Sequence, residues 1–159
     1  MKSLLNFLTF SVLISTFSCS ENEDPNLEYV NLKEVEIGDY VFEFPSHFEL
    51  IEKQGIDSYV GEVVGSGITF IFDFGVYTRP YENLSSDRFD VTNEKDGTVE
   101  KQLVIGKDPG IDFTGVHIRN LEGSNSLGNY ISLQMSTVDL SKEQQKLAVK
   151  ILKSGQLKE

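Results

Sequence analysis

Apolar residues recur at every second position through residues 68–77. Ile68, Phe70, Phe72, Phe74 and Val76 fall on one side, and Thr69, Asp73 and Tyr77 on the other. A period of two predicts a β-strand with one buried and one more polar face. Glu36 to Phe44 reads as a hairpin turning at Gly38-Asp39, with Tyr40, Phe42 and Phe44 on its apolar side. Tyr59 to Val64 leads through Gly65-Ser66-Gly67 into the strong strand, which predicts a second hairpin. Asp96-Gly97 signals a third turn, followed by a strand from Val99 to Ile105. Val116 and Ile118 alternate with His117 and Arg119. After a loop expected at 123–128, Ile131, Leu133 and Met135 oppose Ser132, Gln134 and Ser136.

Near the end the period changes. Ser141 followed three residues later by Gln144 forms a capping box, and Leu147, Ala148, Ile151 and Leu152 follow helical spacing up to a stop at Gly155. A helix of about thirteen residues is predicted there, and a short additional helix at 48–54. Five to seven strands with one apolar face each, and a helix with one apolar stripe, are satisfied together by an α+β fold. The expectation is an antiparallel β-sheet with the C-terminal helix packed on one face.

Length and charge narrow this reading. The chain has 159 residues, including eleven Phe, six Tyr and no Trp, and its net charge is −11. It divides into an apolar leader at 1–18, an acidic tether at 19–28 and a single globular domain at 29–159. A strongly acidic body repels phosphate backbones, so nucleic acid is excluded as a general partner. Cys19 is the only cysteine, so neither an intramolecular disulfide nor a CxxC zinc site can form.

The leader carries its own signal. Lys2 precedes Leu4 to Ile14, which is too short for a transmembrane helix and suits a signal peptide. The segment Thr16-Phe17-Ser18-Cys19 resembles the lipobox of bacterial lipoproteins. That resemblance implies a diacylglyceryl group on the Cys19 thiol, cleavage before Cys19 and acylation of the new amine. Each buried methylene contributes about 0.8 kcal/mol to membrane attachment, and two or three chains suffice for a stable anchor. The membrane is therefore the expected partner, reached through lipid. The acidic run Ser20-Glu21-Asn22-Glu23-Asp24 resembles the export signal of outer-membrane lipoproteins. It implies a bacterial cell-envelope address, anchored in the outer membrane and facing outward. The alternatives are an ordinary signal peptide with an incidental cysteine and a cytosolic protein with an apolar N-terminus.

The strand and helix order resembles the PsbP/Mog1-like domains, in which a central antiparallel sheet is flanked by helices. The points of likeness are Pro45 after an early strand and a terminal helix running on through Ala148 to Leu157. Gly55 to Gly61, followed by Phe72-Asp73-Phe74-Gly75, also resembles an uncharacterised group of small envelope lipoproteins, which implies no activity.

Candidate chemistry is sparse. Gly65-Ser66-Gly67 lacks the spacing of a phosphate loop. Ser58 lacks a nucleophile elbow, and Asp57 reads as a turn cap. Asp87, Asp90, Glu94 and Asp96 read as a solvated acidic loop without the spacing of a calcium site. Asp73 is placed to share a sheet face with Tyr77, His117, Arg119 and Gln134, as a small-ligand site or as an Asp73–Arg119 salt bridge. Tyr77, Arg79 and Tyr81, leading into a loop at 79–88, form the preferred interaction site. The expected ligand-binding residues are therefore Asp73, Tyr77, Arg79, Tyr81, His117 and Arg119, with lipidation at Cys19. No catalytic residue, metal or cofactor is expected. The reading is a non-catalytic envelope domain that binds a protein or small ligand. The alternatives are a hydrolase using Asp73 and His117, or a structural accessory of an envelope complex.

Overall fold

The computed structural model describes residues 31–124 and 130–158. The expectations for the leader, Cys19 and the whole tether fall on residues 1–30 and lie outside the described residues, as does most of the loop at 123–128. The described chain forms ten strands and one helix: β1 (Leu32–Ile37), β2 (Tyr40–Pro45), β3 (Glu49–Lys53), β4 (Tyr59–Gly65), β5 (Ile68–Gly75), β6 (Phe89–Asp96), β7 (Val99–Gly106), β8 (Thr114–Ser124), β9 (Tyr130–Thr137), α1 (Lys142–Ser154) and β10 (Gln156–Leu157). A three-stranded sheet has the order β1-β2-β10, and a seven-stranded sheet the order β3-β4-β5-β9-β8-β7-β6. All pairings are antiparallel.

The three turns anticipated from Gly-containing dipeptides join β1 to β2, β4 to β5 and β6 to β7. Gly38 occupies the left-handed region at φ 60°, which only glycine enters without strain. β5 places Ile68, Phe70 and Phe72 in the core. They join Phe42, Phe44, Phe48, Ile118, Leu133 and Met135 in one cluster that also holds Ala148, Ile151 and Leu152 of α1. Phe44 of the smaller sheet meets Phe70 of the larger edge-to-face, with centroids 5.4 Å apart, so one core serves both sheets.

The capping box of α1 is formed: Ser141 Oγ accepts from Gln144 N–H, and the Gln144 side chain accepts from Ser141 N–H. At the other end, Lys101 Nζ of β7 donates to the carbonyls of Lys153 at 3.0 Å and Gly155 at 2.5 Å. These are carbonyls a helix end leaves unpaired, and a cation there also complements the helix dipole. Gln145 Nε2 donates to Gly106 O at 2.6 Å and Thr114 Oγ1 at 3.1 Å, tying α1 to β7 and β8.

Two expectations are corrected. The stretch expected as a short helix at 48–54 is mostly strand β3, whose register sets Leu50 opposite Val63. Only Leu50 of β3 is even half-buried, so an edge position outweighs a weak helical pattern. The acidic loop expected around Asp90, Glu94 and Asp96 is strand β6, the other edge of the larger sheet. Among its residues only Phe89 is buried, and a charged edge strand discourages further pairing. With two-residue β10, these additions explain why ten strands stand where five to seven were expected.

Candidate functional site on the outer sheet face

Cross-strand register builds the site. Asp73 of β5 pairs with Gln134 of β9, Gln134 with His117 of β8, His117 with Gln102 of β7, and Gln102 with Asn93 of β6. Residues in register share a face, so these five polar side chains form one row on the side opposite the apolar alternates. The next row carries Ser132, Arg119 and Glu100.

Residues 76–88 connect β5 to β6 and cross this face over β9, β8 and β7. The connection is pinned at two points. Thr78 Oγ1 donates to Ser132 O at 3.0 Å and also bonds the Ser132 hydroxyl. Tyr81 N–H donates to Gln102 Oε1 at 2.7 Å, and Tyr81 Oη to Met135 O at 3.4 Å. The Tyr81 ring stacks on Phe113 at 4.9 Å, and Phe113 on Phe89 at 5.0 Å, a second aromatic cluster outside the main core. A Cβ on Gly115 would stand 2.5 Å from the Tyr81 hydroxyl, so glycine there makes room for this anchor.

Between the pins, Arg79 and Pro80 span the middle of the row. Two cavities open beside them, of about 350 Å³ on the β6–β7 side and about 150 Å³ on the β9 side. Pro80, His117 and Arg119 line both. The larger adds Asn93, Glu100 and Gln102, and the smaller adds Tyr130 and Ser132. His117 is 2% exposed, and its Nε2 is buried without a hydrogen-bond partner. Burial, followed by the charges of Arg119 and Arg79, pushes the imidazole pKa down to about 4, so the ring is neutral near pH 7. Asp73 Oδ1, in the same row, is also buried and unpartnered.

The expected site residues separate accordingly. Asp73, His117 and Arg119 share the outer face, but Asp73 stands two strands from His117, about 10 Å at ordinary strand spacing. Arg119 does not pair with Asp73: its Nε and Nη2 reach Glu100 Oε2 at 2.8 and 2.5 Å. Those bonds, aided by Lys95, hold the Glu100 carboxyl below its usual range. Arg79 Nη1 donates to the carbonyls of Val76 and Thr78. Tyr77 is 66% exposed and lines neither cavity. Tyr81 is a correction: instead of an exposed contact residue it is a half-buried anchor, and burial of its phenol pushes the pKa up. The Ser132 hydroxyl is bonded to Thr78 and, among the described residues, has no hydrogen bond to His117.

Sequence reasoning missed Asn93, Glu100 and Gln102. Their signal was register: once Asp96-Gly97 is read as a hairpin turn, Asn93 falls opposite Gln102. Among the described residues, no group of three His, Cys, Asp or Glu is placed to hold a metal ion, and no helix is long and apolar enough to cross a membrane. No family model matches the chain, and no curated protein matches it.

Proposed function

We propose that this chain is a lipid-anchored envelope protein whose globular domain binds a small polar ligand on the outer face of its larger sheet, beneath Arg79 and Pro80. The observation that carries the binding site is the buried, unpartnered Nε2 of His117, a side chain that lines two neighbouring cavities. Buried polar atoms are nearly always paired, and leaving one unpaired costs about 1–3 kcal/mol, so an unpaired atom on a side chain that lines two cavities supports a ligand-binding role for this face. The anchor is supported by the apolar run ending at Ser18-Cys19 and by the acidic stretch after it. The finer architecture belongs to the same proposal. α1 covers the opposite face of the larger sheet, supported by its buried Ala148, Ile151 and Leu152 and by the Gln145 bonds to Gly106 and Thr114. The outer face is then left for binding.

A thermal-shift screen of small polar molecules against the full chain tests the site, because a ligand that binds only the folded state raises Tm. Hits that stabilise the protein but lose their effect in Asn93→Ala support it, and hits indifferent to that change place binding elsewhere. Cys19→Ala tests the anchor: the variant is expected in the soluble fraction, and unchanged sedimentation with membranes would contradict lipidation.

A further inference from the structure

Resting on the outer-face reading, we propose that the ligand is a neutral, hydroxyl-rich molecule of sugar size, a mono- or disaccharide, rather than an anion or a cation. Most charged groups around the cavities are already engaged within the protein, and Glu94 stands opposite Lys101 in the β6–β7 register. Glu100 lies between Lys95 at 3.3 Å and Arg119 at 2.5 Å. Lys101 spends its ammonium on two helix carbonyls, and Arg79 donates Nη1 to two carbonyls of its own segment. A phosphate or carboxylate would have to displace Glu100 from Arg119, in a chain of net charge −11. A cation would have to compete with Arg119 and Lys95 for the same carboxylate.

The unsatisfied groups instead suit hydroxyls. Neutral imidazole offers Nε2 as an acceptor in one tautomer and as a donor in the other, and a hydroxyl complements both. Asn93 supplies an amide with donor and acceptor together. Gln102, which lines the larger cavity, has its oxygen engaged by Tyr81 N–H, which leaves its NH₂ as the group able to donate. Tyr130 lines the smaller cavity; Arg119 lies over one face of its ring at 5.9 Å, so only the other face could meet the C–H face of a sugar ring. A cavity of about 350 Å³ with a neighbour of about 150 Å³ falls at the small end of ligand sites, which suits one or two rings. Nε2 itself is sealed, so a hydroxyl would reach it only with a shift of the groups around it, and the ligand's first contacts are with the residues that line the cavities.

The test follows the His117 ring and the Asn93 and Gln102 side-chain amides by ¹H–¹⁵N NMR in the full chain. The probes are a panel of neutral sugars (glucose, N-acetylglucosamine, cellobiose and maltose), with sodium phosphate and calcium chloride as charged arms. The expected result is saturable shifts of all three side chains with at least one sugar and none with phosphate or calcium. Asn93→Ala, on an exposed edge, should keep the wild-type Tm and weaken sugar binding about fivefold, the effect of one hydrogen bond. Shifts with phosphate or calcium and none with sugars overturn the sugar class but leave the binding site standing. Silence towards every probe overturns both readings. Sugar shifts unaltered by Asn93→Ala place the sugar elsewhere and overturn the proposal.

Discussion

The two faces of the seven-stranded sheet are built from the same strands yet solve opposite problems. On the inner face, Phe70, Phe72, Val116, Ile118, Leu133 and Met135 are at most 1% exposed and belong to one buried cluster with residues of the second sheet and of α1. On the outer face, the alternate residues Asp73, Gln134, His117, Gln102 and Asn93 run as a polar row under a single connection. Burial alone explains the inner face, because apolar area removed from water stabilises in proportion to its extent. It does not explain the outer one, where an imidazole is desolvated and left with an unpaired nitrogen. Polar groups retained at such a disadvantage point to recognition rather than to stability, and the account of function rests on that asymmetry.

Substitutions on the two faces should separate accordingly. The largest effect is expected inside: Phe70→Ala, at the junction of the two sheets, should lower unfolding free energy by about 3–5 kcal/mol in denaturant titration. A loss below 1 kcal/mol would mean that the sheets do not share a core.

Next is the pH dependence set by the outer face. The imidazole of folded His117 titrates at about 4, and an unfolded histidine near 6.5, so between these values the unfolded chain binds the extra proton. Stability is therefore full above pH 6.5 and falls as the pH drops towards 4, by at most about 3 kcal/mol. Arg119 and Arg79 repel the protonated ring, while Glu100 and Asp73 are the carboxylates of the same face. Further acidification removes the bonds that Arg88 gives Asp112 and Arg119 gives Glu100, since both carboxyls are held below their usual range. Stability thus continues to fall in the same direction. Thermal melts of His117→Gln should show the limb between pH 6.5 and 4 flattened. An unchanged limb would assign it to other groups.

The smallest effect is expected at Asn93→Ala, on the exposed edge. Its stability should stay within about 0.5 kcal/mol of wild type. A larger loss would show that the row holds the sheet together, and the contrast between the faces would narrow.

The inner face was legible because its signal is local. Ile68, Phe70 and Phe72 announce a strand, and Ser141 with Gln144 announces the helix that follows. The outer face was half legible. Asp73, His117 and Arg119 were placed on a common side from alternation, but which of them meet depends on strand order. β9 lies between β5 and β8, which separates Asp73 from His117. β7 lies on the other side of β8, which gives Arg119 to Glu100. Strand order is a long-range property with no local pattern. Edge strands β3 and β6 escaped because an edge buries little, so their alternation is faint. Tyr81 was misplaced for a related reason: nothing in Arg79-Pro80-Tyr81 reveals that the segment folds down onto Gly115 and Phe113.

The central claim, that a neutral, desolvated imidazole lies beneath Arg79 and Pro80 awaiting a partner, is tested most directly by ¹⁵N-detected titration of the His117 ring. The account predicts a midpoint near 4 and a neutral ring throughout the physiological range. A midpoint at 6.5 or above would put His117 in contact with water or an anion and contradict it.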